Sequence, residues 1–243
     1  MKRATTLLIG ATIALLAKGV ELAPAEPIAV TPTPSTNLES LISHGASLKI
    51  GTLGVGADFE HMFNKKHGVR LNVNGIKISR DEELDDITYD LDLKLFTAGI
   101  LYDYHPWEGS FRVTTGLYYN NNKLEGTARP TSPVTIGDRT YQPDQIGQID
   151  AKIDFENEVA PYVGIGWSST EKNGWHFTAD IGVMYAGEPQ VWAQATPGPA
   201  LQDQPDLVNQ LQQDIEKERQ NIYEDIKDYK WWPVIMIGVQ KKF

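Results

Sequence analysis

One pattern constrains this chain more than any other: apolar and polar residues alternate, segment after segment. "TLGVGADF" places Leu53, Val55, Ala57 and Phe59 on one side and Thr52, Gly54, Gly56 and Asp58 on the other. "VRLNV" sets Val69, Leu71 and Val73 against Arg70 and Asn72, and "YDLDLKL" sets Tyr89, Leu91, Leu93 and Leu95 against Asp90, Asp92 and Lys94. "SFRVTTGLYY" sets Phe111, Val113, Thr115, Leu117 and Tyr119 against Arg112, Thr114, Gly116 and Tyr118. A period of two is that of a β-strand with one apolar face.

The longest run starts at Ile149. Its odd positions read Ile149, Ala151, Ile153 and Phe155, then Val159, Pro161, Val163, Ile165 and Trp167, with Asp150, Lys152, Asp154 and Glu156 between them. "WHFTADIGVMY" follows, with Trp175, Phe177, Ala179, Ile181, Val183 and Tyr185 facing His176, Thr178, Asp180 and Gly182. The last strand is "YKWWPVIMIGVQKKF", apolar at every second position except Pro233 and Lys241. These make seven strands, and a barrel with both chain ends on one side needs an even number. The alternation slips within "HGASLKIGT", where Leu48 and Ile50 are in one phase and Leu53 onward in the other. A one-residue slip reverses every side chain, so a bulge or turn is expected near Gly51, and with it an eighth strand.

One-sided strands bury their apolar face in a soluble sandwich or turn it toward lipid in a membrane barrel. The polar faces here mix acids and bases with glycine, threonine and tyrosine, as the crowded interior of a small barrel requires. Aromatic residues gather at strand ends: Phe59, Phe63, Tyr104, Trp107, Trp167, Trp175 and Phe243 at one rim, and Tyr89, Tyr119, Tyr185, Tyr229 and Trp231 at the other. Two such belts mark the two interfaces of a bilayer. Connections alternate between short ("NKKHG", "HPWEGS", "SSTEKNG") and longer (roughly 79–88, 120–148 and 186–228). The expected fold is an all-β, transmembrane, antiparallel up-and-down barrel of eight strands over 46–243, with long extracellular loops and one loop helix. Tyr104, Trp107, Trp167, Trp175 and Phe243 are the expected anchors. Phe243 also reads as an insertion signal for the barrel assembly machinery. The run 149–167 would reach roughly 60 Å at ~3.3 Å per residue, so the sheet is expected to project above the membrane.

The N-terminal "MKRATTLLIGATIALLAKGVELAPA" has the basic start, the apolar run and the A-x-A site of a secretory signal, with cleavage expected after Ala25. The apolar run falls short of the ~20 residues that span a bilayer. Residues 26–45, rich in proline and threonine, read as a tether. Outer-membrane lipid is therefore an expected partner, in a Gram-negative bacterium and after export through the periplasm. In the last long loop Leu207, Leu211, Ile215, Ile222 and Ile226 share a helical face over about 203–228, with Asp206 or Asp203 as the expected cap.

The inward charge set comprises Asp58, Arg70, Asp90, Asp92, Lys94, Arg112, Asp150, Lys152, Asp154, Glu156 and Asp180. Either these pair across strands and fill the interior, or they line a solute path that the excess of acids makes cation-preferring. The net charge of -10, with no basic stripe, argues against nucleic acid. With no cysteine, disulfides, thiolate metal sites and cysteine nucleophiles are excluded. No enzyme activity and no cofactor or metal are expected: only His176 lies within a strand on the inward side, and no serine stands near it in sequence.

"TIGDRTYQ", "DAKIDFENEVAPYVGIGW", "GWHFTADIGVMYAGEPQV" and "DYKWWPVIMIGV" resemble the CarO-type outer-membrane proteins, the carbapenem-associated ornithine-uptake porins. The resemblance runs from about Ser47 to Phe243 and is strongest after Val134. It implies an eight-stranded barrel with large external loops, and a narrow channel for small cationic solutes such as basic amino acids. The alternative is a closed barrel whose loops serve structure, adhesion or host contact.

Overall fold

A computed structural model describes residues 43–84, 87–169 and 174–243. The expected signal over 1–25 and nearly all of the tether over 26–45 lie outside those residues, as do 85–86 and 170–173. In chain order the strands are β1 (Ser43–Gly51), β2 (Gly54–Met62), β3 (His67–Leu84), β4 (Ile87–Tyr104), β5 (Phe111–Asn120), β6 (Lys123–Pro130), β7 (Val134–Ile136), β8 (Arg139–Tyr141), β9 (Ile146–Phe155), β10 (Val159–Ser168), β11 (Gly174–Tyr185), β12 (Pro189–Pro197) and β13 (Trp231–Lys242). Helix α1 (Pro205–Ile226) lies between β12 and β13.

Eight strands close the barrel in the order β1, β2, β3, β4, β5, β10, β11, β13, and β13 returns to β1. The slip at Gly51 is a turn: Gly51 pairs with Gly54, and the strand expected in "HGASLKIGT" is β1, starting at Ser43 inside the stretch read as tether. Gly54 has φ +93°, a conformation that favours glycine, and Gly51 lies so close to β13 that a Cβ there would stand 1.9 Å from the Ile235 carbonyl oxygen. Leu53, read as the start of an outward face, is instead fully buried at the turn, inside the barrel mouth.

The outer surface between the rims is apolar, with Leu48, Leu71, Ile100, Val163 and Val239 all exposed. Tyr104, Trp107, Trp167, Trp175 and Phe243 are exposed at the rim that carries the short turns; at the opposite one Tyr119 and Trp231 are exposed and Tyr185 is half-buried. Apart from β3 and β4, the strands of the ring run 9 to 12 residues, the length that crosses a bilayer at a tilt. Water would leave this belt unsatisfied; hydrocarbon suits it.

Beyond the upper rim the wall continues on one side only. The upper half of β4 pairs with β6, β6 with β9 and β9 with β12, while the lower half of β4 pairs with β5. β5 and β6, β9 and β10, and β11 and β12 are thus successive pieces of tall strands, interrupted at 121–122, 156–158 and 186–188. The run 149–167 is therefore two strands, not one. Residues 79–84 and 87–88, expected within a long loop, instead continue β3 and β4 and pair with one another.

Above the rim the apolar face changes side. Tyr89, Leu91, Ile149, Ala193 and Ala195 pack against Leu211 and Ile215 of α1, together with Val134, Ile136 and Tyr141 of the β7–β8 hairpin. Tyr89, expected in an aromatic girdle, is buried in this cap core. Helix α1 begins with Pro205 at its first turn, a position that suits proline. Its N-cap is Gln204, which makes no side-chain capping bond; Asp206 sits in the first turn, where it favours the helix dipole, instead of capping it.

Candidate functional site

Around the barrel at mid-height, charges alternate from strand to strand: Lys49 on β1, Asp58 on β2, Arg70 on β3, Asp103 on β4, Arg112 on β5 and Asp180 on β11. All six side chains are almost wholly buried. Lys49 Nζ contacts Asp58 and donates to Asp180 at 2.6 Å. The Arg70 guanidinium grips Asp103 with two donors at 3.0 and 3.2 Å, and reaches Asp58 at 3.1 Å and Asp180 at 3.1 and 3.2 Å. Arg112 donates to Asp180 at 2.6 Å across β10. That reach needs Gly166, where an added Cβ would stand 2.9 Å from Arg112 Nε and 2.8 Å from an Asp180 oxygen. Thr114 donates to Asp103, and Ser47 and Asn72 donate to Asp58, so the remaining lone pairs are engaged.

Two further layers bracket this network. Toward the short-turn end, Lys242 and Gln240 both donate to Glu60. Toward the external mouth, Leu53, Leu101, Tyr118, Ala160, Tyr162, Met184, Val234 and Met236 form an apolar layer, with Tyr118 and Tyr162 edge to face at 5.4 Å. Among the described residues, the four inward carboxylates of the barrel each have a buried cation within ion-pair distance. The buried interior charges are thus balanced, without the excess of acids expected from the sequence.

The residues expected along a solute path fall into two groups. Asp58, Arg70, Arg112 and Asp180 meet in the network just described. Asp90, Asp92, Lys94, Asp150, Lys152 and Asp154 lie above the rim, on the outward face of the wall, because the apolar residues between them turn inward to α1. Glu156 sits at the β9–β10 break. Lys49, Asp103, Glu60 and Lys242 belong to the interior although the sequence reading did not select them. Asp103 was recoverable: Ile100, Tyr102 and Tyr104 face outward, so Leu101 and Asp103 must face in.

Where the wall meets the barrel mouth, a cavity of about 300 Å³ is lined by Glu156, Glu188, Gln190, Arg219 and Tyr223, among others. Glu188 ties three segments together, accepting from Lys230 at 2.6 Å and from the Tyr223 hydroxyl at 3.0 Å. These hydrogen bonds, that of Lys230 first, hold its carboxyl below the ordinary value of 4.5. The depressed value means that the contact stabilises the docked cap at neutral pH and is lost as pH falls through the carboxylate range. Protease resistance of α1 is therefore expected to stay constant from about pH 8 to 6 and to weaken below about pH 4.5. In Glu188→Gln this step should shrink; an unchanged acid profile would show that other groups govern it.

No family model and no curated protein matches the chain. Among solved structures it is similar to CarO2 of Acinetobacter baumannii, at 24% identity and a TM-score of 0.57, covering 84% of this chain and 100% of that one. CarO of the same organism matches at 24% identity and a TM-score of 0.57, covering 84% of this chain and 99% of that one. At this identity the likeness is one of fold.

Proposed function

We propose that the protein is a porin-like outer-membrane barrel of the CarO type whose lumen stands closed, and whose working surface is the external wall and cap. The secretory signal, the lipid-facing belt and the structural neighbours support the outer membrane as its place. The short turns then face the periplasm, and the wall and α1 face outward.

One observation carries the closed reading: the balanced ring of Lys49, Arg70 and Arg112 with Asp58, Asp103 and Asp180, under an apolar lid. A solute crossing this plane would have to part buried ion pairs, each costing several kcal/mol to separate. A barrel of eight strands has an interior just wide enough for side chains. The test is flux into liposomes carrying the refolded protein, with ornithine, glutamate and a neutral sugar. No entry above empty liposomes is expected; rapid entry of any of the three would overturn closure.

The second reading is a narrow, cation-preferring channel for basic amino acids. The sequence resemblance favours it, as do Glu156 and Glu188 at the cavity over the mouth, which would concentrate cations there. Under that reading ornithine alone enters, and Glu156→Gln with Glu188→Gln slows it.

A further inference from the structure

Just above the aromatic rim, the outward positions of three adjacent strands carry the same residue. Lys77 on β3 is directly opposite Lys94 on β4, and Lys94 is directly opposite Lys123 on β6. Like charges at directly opposed positions are destabilising. The row is partly balanced from within. Lys77 lies 3.0 Å and Lys94 3.7 Å from Asp92, and Glu125 pairs with Lys94 and lies 3.9 Å from Lys123. Three ammonium groups therefore share two carboxylates, and Ser79 also draws on Asp92. Beyond Lys123 the row meets Asp154, on the same face, which is paired with Lys152 at 2.6 Å. Higher on the same face, Asp90 is taken by Arg129 and Asp150 by Thr127. Lys77 keeps 59% of its side chain exposed, and Lys94 and Lys123 about 30%.

Position supplies the missing partner. The next outward residue below Lys94 is Phe96, which meets Tyr119 edge to face at 6.3 Å at the top of the apolar belt. Two residues of strand rise at most ~7 Å, which sets the lysines at the depth of lipid headgroups. Lys77 and Lys94 stand on the same face of strands that meet hydrocarbon below, and Lys123 opens the piece that continues β5 upward, so the lipid-facing surface runs into this row.

We propose that Lys77, Lys94 and Lys123 form a binding row for the phosphate of an anionic lipid in the outer leaflet. The inference rests on the membrane placement proposed above and is independent of whether the lumen conducts. A phosphate seated between neighbouring lysines relieves their repulsion and satisfies donors that Asp92 and Glu125 leave free. Its geometry is that of charge-assisted hydrogen bonds from point charges, so arginine should substitute well.

The experiment is native mass spectrometry of the full refolded chain, offered equal amounts of bisphosphorylated lipid A, dephosphorylated lipid A and phosphatidylcholine. Bound lipid is expected to favour the bisphosphorylated form. That preference should fall about a hundredfold when all three lysines become glutamine, since each basic residue near a charged membrane surface adds roughly a factor of five. The triple arginine variant should retain it, and inorganic phosphate at millimolar concentration should not compete. Equal binding of all three lipids by the unaltered protein would overturn the proposal while leaving the barrel reading intact. Binding of no lipid at all would overturn both. An unchanged preference in the glutamine variant, shown to be folded by its heat-modifiable gel mobility, would place the phosphate elsewhere and equally overturn it.

Discussion

Asp180→Asn is expected to lower the stability of the barrel by about 3–5 kcal/mol, read as a shift in the urea midpoint of reversible unfolding in lipid. Asp180 accepts from Lys49, Arg70 and Arg112 at once. Neutralising it leaves three buried cations against Asp58 and Asp103, and the desolvation cost of the unmatched charge falls on the folded state. Balance can be restored from the other side: adding Lys49→Met leaves two cations and two carboxylates. The double variant should therefore recover a large part of the loss, with a coupling of about 0.5–3 kcal/mol. A water-filled lumen would behave differently, because solvent would screen the orphaned cation. A loss under about 1 kcal/mol for Asp180→Asn, the scale of exposed ion pairs, would thus argue against a sealed interior.

Leu211→Asp is expected to release the cap without unfolding the barrel. Leu211 is fully buried among Tyr89, Tyr141, Ile146, Leu201 and Ile215. Even Leu→Ala at such a site costs about 2–5 kcal/mol, and an unpaired charge there costs more. The docking that remains is the smaller apolar contact of Ile215 and Val208 with polar, partly exposed contacts, chiefly Tyr141 and Arg139 on Asp214 and those of Glu188. Protease should then cut at Lys217 within α1 or at Lys227 just past its end, where the folded helix backbone resists cleavage in the unaltered protein. The barrel should keep its heat-modifiable gel mobility, since its ladders and interior layers do not use the helix. Loss of the barrel together with the cap would show that the two fold as one unit.

Much of the barrel can be read from alternation alone, because lipid and lumen impose opposite chemistry on successive residues. The β1–β2 turn is visible as the change of phase between Ile50 and Leu53. The rule that apolar residues face outward holds only as far as the hydrocarbon does. In β4 the apolar residues are odd from Tyr89 to Leu95 and even from Phe96 to Tyr104, although the strand itself never slips. The adjacent pair Leu95 and Phe96 marks the membrane boundary. Above it, α1 is the apolar partner, a long-range contact that no local pattern in β4 reports. Reading Asp90, Asp92 and Lys94 as inward followed from carrying the lipid rule past that boundary. Lys49 escaped notice for a simpler reason: β1 is short, and its phase is set only by Leu48 and Ile50 on either side of it.

The seam of the barrel joins β1 to β13, with Gly45 opposite Lys242 and Gly51 opposite Met236. Every other strand of the ring has its partners nearer in sequence, but this closure waits for the last strand to be made and delivered. Until then β1 offers an unpaired edge, a template for pairing with other chains. Such distant pairings form slowly. The ring is therefore completed only when its two strands most distant in sequence meet, and until then the sheet has two open edges.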